Sequence, residues 1–312
     1  MDALTHILRV VRLSPQPFQQ CELFSPWRIE HSAHNNADLY MLEKGTCWLS
    51  ILDTEQIIRL AVGDLVVISN SARYFLTNQP VAIGTTEPDL AKSGTELTRL
   101  DHATDDPAGA TQLCFGQFRP EIDIVYPIFS LLPPLIHIKN QDGQPIYWLA
   151  TALRGITSEA QISRPGYEAV ISRLMDILFI MVMRTWIVQH SPEEGGWLGA
   201  LYDPHIGKSL NAIHGQPEKN WTVEALAKVS LMSRSIFAQK FTALVGEPPI
   251  KYLTRWRIQL STTWLDQVNN FSLAQIAQRV GYTSSYAFSK AFKRLTGVSP
   301  TKYRETHHYS AH

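Results

Sequence analysis

The chain has 312 residues, 45% of them hydrophobic, enough for two separate cores, and its 28 basic side chains are balanced by 28 acidic ones. Neutrality conceals a division: Lys219 to Arg304 carries 13 Lys and Arg against 3 acids, +10, which leaves −10 for the rest and argues for two domains with different partners. Three cysteines without a CxxC pair, no secretory leader and no transmembrane run exclude structural disulfides and a membrane partner, so the expected location is the reducing cytoplasm.

In chain order, the first pattern is alternating apolar stretches at Leu39 to Leu52, Ile57 to Leu60 and Leu65 to Ile68, separated by Glu43-Lys44-Gly45 and Val62-Gly63-Asp64. These read as short strands joined by tight turns, and a β-barrel or sandwich follows. His31 and His34 could share a zinc ion, but no third or fourth ligand is near in sequence, so they read as surface or loop histidines. Val81 to Ala110 is polar and reads as a long, mobile loop or lid. Trp148 to Arg154 and Tyr167 to Gln189 have helical character; Leu174, Ile177, Leu178, Ile180, Met181 and Met183 make the second helix apolar on more than one stripe. Ser191 to Gly196 is the hinge segment, with domains expected at 1–200 and 201–312.

Beyond it the chain repeats itself at an offset of 51: Ser233, Phe237, Phe241, Gly246, Pro249 and Tyr252 recur as Ser284, Phe288, Phe292, Gly297, Pro300 and Tyr303. In each copy a Ser caps a helix, two Phe four apart share its face, and a Gly ends it before a Pro. Support helices precede both, Thr222 to Val229 and Ser272 to Val280, with Ala227 and Ala277 small enough for a close helix crossing. Leu253, Trp256, Leu260 and Trp264 make Ile250 to Leu265 a connecting helix. Two helix-turn-helix units in tandem on the basic half point to double-stranded DNA.

Trp221 to Arg304 resembles the DNA-binding domain of AraC/XylS-family transcriptional regulators, on the repeat itself, on Tyr252-Leu253 and Arg257-Ile258, and on the runs from Ile276-Ala277 through Gly281-Tyr282 to Gly297-Val298-Ser299-Pro300. Gly45, Gly63-Asp64-Leu65-Val66-Val67-Ile68, Cys114-Phe115-Gly116-Gln117-Phe118 and Leu131-Leu132-Pro133-Pro134 resemble the cupin-bearing members. The resemblance implies an α+β protein, a cupin-like sensor barrel with a helical segment and an all-α tandem reader. It also implies promoter binding, an effector the sequence does not name, and RNA polymerase and a second copy of the chain as further partners; activation or repression is the regulatory sense, and the sequence does not choose between them. Tyr40 and Arg73 stand where the cupin metal ligands would be His, so neither metal, cofactor nor enzyme activity is expected. Cys21 and Cys114 are similar in position to cysteines of redox-responsive relatives, which offers oxidant sensing as an alternative to buried thiols.

Helix geometry nominates the readers. With Phe237, Phe241 and Leu244 turned inward, Arg234, Ser235, Ala238 and Gln239 face out; the same offsets give Ser285, Tyr286, Ser289 and Lys290. Arg, Gln and Lys suit directional contacts to base edges, while Ser and Ala admit close approach. Lys240, Lys293, Arg294, Lys302 and Arg304 suit phosphate contacts.

Overall fold

The computed structural model describes residues 2–10, 13–15, 19–31, 36–54, 56–69, 73–80, 96–99, 110–120, 132–140, 151–152, 155–156, 158–159, 164–190, 196–266 and 271–308. Contacts divide the chain into two compact units: a β-rich unit of Leu13–Pro120 and Leu132–Gln189, and a helical unit that includes the first residues and everything from His190 onward. The expected boundary at 200 would cut a helix, Gly196–Tyr202, that belongs wholly to the helical unit. The reason is packing, since Trp197 is buried there and its indole N–H donates to the Tyr252 hydroxyl at 3.1 Å.

The β-rich unit contains two antiparallel sheets. One runs β1 (Leu13–Pro15), β10 (Thr111–Pro120), β4 (Ala37–Lys44), β7 (Leu65–Ser69) and β11 (Leu135–Ile138), with β2 (Gln19–Leu23) also pairing with β10. The other runs β6 (Gln56–Leu60), β5 (Cys47–Ile51), β8 (Tyr74–Thr77), β3 (Trp27–His31) and β9 (Glu96–Arg99). Leu42, Val66 and Leu113 of the first sheet share one core with Trp27, Leu49 and Leu76 of the second, so the sheets close face to face. Gly45 and Gly63 sit in the expected tight turns, both in the left-handed region with φ +88. The stretch expected to be a loop contains strand β9, which pairs with β3 from Trp27↔Arg99 to Glu30↔Glu96, and ends at the buried Ala110; the rest of it lies outside the described residues.

Tyr167–Gln189 is helical as the pattern required, and is named α2. It buries Met175, Phe179, Val182 and Met183, packs on β1 and β11, and sets Phe179 edge-on to Phe118 of β10 at 5.0 Å. Val170, Ile177 and Val188 remain exposed on it. Of the helix expected at Trp148 to Arg154, only residues 151–152 are described, and they are helical.

The helical unit begins with α1 (Ala3–Val10), which packs on α4 (Ile206–Gly215) and α7 (Pro249–Asp266). Ile7 is fully buried, and the Ala3 N–H donates to Asn211 Oδ1 at 2.7 Å. Then come α3 (Gly196–Tyr202), α5 (Val223–Val229), α6 (Arg234–Val245), α8 (Leu273–Arg279), α9 (Ser285–Thr296) and α10 (Pro300–His308). No described helix is long and apolar enough to cross a membrane.

Candidate nucleic-acid interface

The repeat is visible as geometry. Phe237 and Phe241 lie 5.5 Å apart by ring centroid and Phe241 and Tyr252 5.7 Å; the second copy has Phe288 and Phe292 at 5.7 Å and Phe292 and Tyr303 at 5.5 Å. All six rings are buried completely. Phe237–Phe241 is tilted and the other three pairs are edge-on, and each adds about 0.5–1.5 kcal/mol to the area it buries. Gly246 (φ +84) and Gly297 (φ +78) end the two helices. The connecting helix α7 serves both cores: Tyr252, Leu253 and Trp256 are buried toward its first half, and Ile258 and Leu265 join Ile276, Phe288 and Phe292.

The caps are largely as the sequence demanded. Thr222 accepts from the Ala225 N–H at 3.1 Å, Ser284 from Ala287 at 3.2 Å, and Ser272 forms a reciprocal capping box with Gln275. Ser233 occupies its cap position without a side-chain cap bond, its hydroxyl lying 3.5 Å from that of Ser235. Val245, not Leu244, completes the buried stripe of α6, and Leu244 is only half-buried.

The outward faces carry the nominated side chains. Arg234, Ser235 and Gln239 on α6 and Ser285, Tyr286 and Lys290 on α9 are exposed, while Ala238 and Ser289 are half-buried at the margins. Sequence reasoning missed Ile236, which is 57% exposed on the same turn as Ser235; its counterpart at the repeat offset is Ala287, so an apolar pair at this position was readable from the repeat. Arg234 reaches back to Glu224 of the support helix at 2.8 Å, with both side chains in solvent.

Among the basic residues nominated for phosphate, Lys293, Arg294 and Lys302 are exposed. Two others have structural partners instead. Lys240 Nζ lies 2.6 Å from Asp203 Oδ2, a nearly buried carboxylate whose other oxygen caps α4 by accepting from His205 (3.0 Å) and Ile206 (2.8 Å). Burial works against that charge, yet the Lys240 ammonium and the cap N–H groups hold the Asp203 pKa below its usual value. Arg304 donates to the Phe271 carbonyl at 2.7 Å, closing the second core.

In the β-rich unit, strand parity decides the cysteine question. Cys21 pairs with Leu113 across β2 and β10, so both point into the core, whereas Cys114 is next to Leu113 and faces the opposite side of the sheet, with Phe118. The two sulfurs cannot meet without rebuilding β10. Burial raises the Cys21 pKa, Cys114 is 1% exposed, and burial pushes the core thiol Cys47 far up. Cys21, half-buried with its pKa raised, and Cys114, buried, therefore do not present the accessible reactive thiol that an oxidant sensor needs.

His31 also departs from expectation: it is buried, stacked on Tyr74 at 4.9 Å, with Nε2 2.7 Å from the Tyr40 hydroxyl. Tyr74 donates to Asp38 at 2.5 Å, and Gln117 donates to the same carboxylate at 2.8 Å. Burial and the Asp38 charge hold the Tyr40 hydroxyl far from ionisation, and burial with both neighbours does the same for Tyr74. Tyr40 thus fills the expected metal-ligand place as a member of a buried hydrogen-bond network. Arg73, at the other such place, is exposed and pairs with Asp53 at 3.4 Å. His34 lies outside the described residues, among which no three potential ligand side chains converge on a metal.

A cupin family model matches residues 2–188 and a helix-turn-helix domain model residues 226–306. Over 98% of its length the chain is 32% identical to the HTH-type transcriptional regulator AlkR of Acinetobacter baylyi, of which it covers 99%. The chain is an AraC-type transcriptional regulator. Among other relatives of this AraC-type protein is RclR of Escherichia coli, an RCS-specific transcriptional activator, 27% identical over 98% of both chains. Among solved structures, the DNA-binding domain of AdpA in complex with a target DNA is 29% identical and matches 35% of this chain and 96% of that one, with a TM-score of 0.32.

Proposed function

We propose that this regulator reads a promoter duplex with α6 and α9 in two successive major-groove segments, and that the cupin barrel senses the effector that sets its activity. The observation that carries this reading is the duplicated aromatic core, because two identically built units turn two polar helix faces outward from one basic half. Arg234, Ser235, Gln239, Ser285, Tyr286 and Lys290 are the base-edge contacts, Ala238 and Ser289 the points of close approach, and Lys293, Arg294 and Lys302 the phosphate contacts. Transcriptional activation through RNA polymerase, action in the cytoplasm and the absence of catalysis complete the proposal. A second copy would pack on α2, where Val170, Ile177 and Val188 leave an apolar stripe in solvent.

Footprinting on an operator selected from random duplexes tests the reading. Two protected segments about one helical turn apart on one DNA face are expected from a single chain. Gln239→Ala should relax preference in one segment and Lys290→Ala in the other, each by about 1–3 kcal/mol. Equal losses on selected and random duplexes would remove both residues from base reading.

A further inference from the structure

The turns of the two helix-turn-helix units share a left-handed residue four positions after Ala227 and Ala277, although the second turn is one residue longer, and they differ in surroundings. In the first, Leu231 adopts φ +55 and is 73% exposed; in the second, Gly281 adopts φ +83. Met232 and Tyr282, one residue on, bond back to the Ala227 and Ala277 carbonyls at 3.0 and 2.8 Å. Since the first turn accepts a leucine in the left-handed region, that backbone alone does not require a glycine at 281. Close approach does: a Cβ there would stand 2.6 Å from Arg257 Nη2, 2.6 Å from the Glu218 carbonyl oxygen and 2.8 Å from its Cα.

Three separate stretches meet at this point. Arg257 projects from the connecting helix α7, its Nε donates to the Pro217 carbonyl at 2.7 Å and its Nη2 to the Lys219 carbonyl at 2.8 Å, and the Tyr282 ring lies 5.7 Å from its guanidinium. The segment it grips leads directly into the first unit, since Trp221 and Thr222 open α5. A single connecting helix holds two units by its two ends, and a small roll about its axis would swing the recognition helices apart in angle. A grip that joins the entrance of the first unit to the turn of the second acts off that axis and resists the roll.

We infer that Arg257 is a positioning residue for DNA reading: by clasping residues 217–219 against the Gly281 turn it fixes the angle between the two recognition helices and so the spacing of the two DNA segments the protein accepts. The inference rests on the proposed tandem reading. Its test uses the full chain and an operator selected by the wild-type protein, together with duplexes in which two base pairs are inserted between the segments or in which one segment is randomised. An insertion of two base pairs rotates the second segment by about 70°. Wild type should lose about tenfold or more on the insertion. Arg257→Ala should lose less than about threefold, while its affinity for either single segment stays within about twofold of wild type. Gly281→Ala, which wedges the same junction open, should behave alike, and Arg257→Gln, which keeps one donor, should fall between and covers the case in which the alanine variant does not fold.

An undiminished spacing penalty in folded Arg257→Ala overturns the inference. So does an equal loss on every duplex, or the unfolding of all three variants, either of which makes Arg257 a fold residue only. A wild-type protein without any spacing penalty would instead sink the tandem reading itself.

Discussion

Lys240 and Lys293 count equally toward the basic balance of the helical unit, yet they have different physical situations. Lys240 neutralises a buried cap carboxylate, and Lys293 projects into water from the end of α9. Removing Lys240 leaves Asp203 with its desolvation uncompensated, so Lys240→Ala should lower stability by about 1–3 kcal/mol, as seen in denaturant unfolding. Removing Lys293 should leave stability unchanged and reduce the slope of log affinity against log salt by about 1. Swapped outcomes would reverse the two roles. Charge counting along a sequence cannot separate these cases, because the partner of Lys240 lies 37 positions away, in the bend between α3 and α4.

At the scale of the element, Leu231 and Gly281 hold the same left-handed turn position with different residues, and the leucine bears the steric cost of the left-handed region. That cost is about 1–2 kcal/mol, and glycine returns roughly 0.5–1 kcal/mol of it through the freer unfolded chain. With its side chain largely in solvent, Leu231→Gly should therefore stabilise the helical unit by about 0.5–1 kcal/mol, raising its melting midpoint. A lower midpoint would mean that the leucine side chain contributes packing. The helices around these turns were legible because caps, Phe spacing and terminal Gly are local signals. Others were not. The α3 stretch Gly196–Tyr202 has no cap signal and less than two full turns of periodicity, and α1 takes its order from packing on α4 and α7. By contrast α4 has a readable start in Asp203 before Ile206, Leu210 and Ile213. β9, with the mixed sequence Glu-Leu-Thr-Arg, has no apolar alternation to announce it and owes its form to main-chain pairing with β3. The inward turn of His31 and Cys21 was hidden for a related reason: which side a residue faces depends on register with strands distant in the chain.

For the molecule as a whole, one buried histidine links stability to pH. Burial, with the neighbouring His6 adding to it, lowers the His214 pKa from 6.5 to about 3, so in the folded protein the ring is neutral and close to the Tyr252 hydroxyl at 2.8 Å. The unfolded chain takes up a proton there that the folded chain refuses. The contribution is complete above pH 6.5 and drains away as pH falls toward 3, by up to about 1.4 kcal/mol per pH unit. Unfolding of wild type and His214→Gln compared at pH 7, 6, 5 and 4 should give a steeper acid loss in wild type. Parallel curves would exclude His214 as the cause.

The placement of α1 has a consequence for how the chain is made and divided. Its Ile7 is sealed into the same unit as α4 and α7, so the whole β-rich unit is, in topological terms, an insertion between the first helix of the reader and the rest of it. During synthesis α1 is made before both sheets and has to wait, through their making, for the surface it covers. A fragment cut at the start of α3 would carry that surface bare, and apolar surface without its cover favours self-association. Such a fragment should run as mixed oligomers on sizing, and a synthetic peptide of residues 1–12 added in trans should return it to a single species; a fragment already monomeric, and indifferent to the peptide, would show that the reader is complete without its first helix.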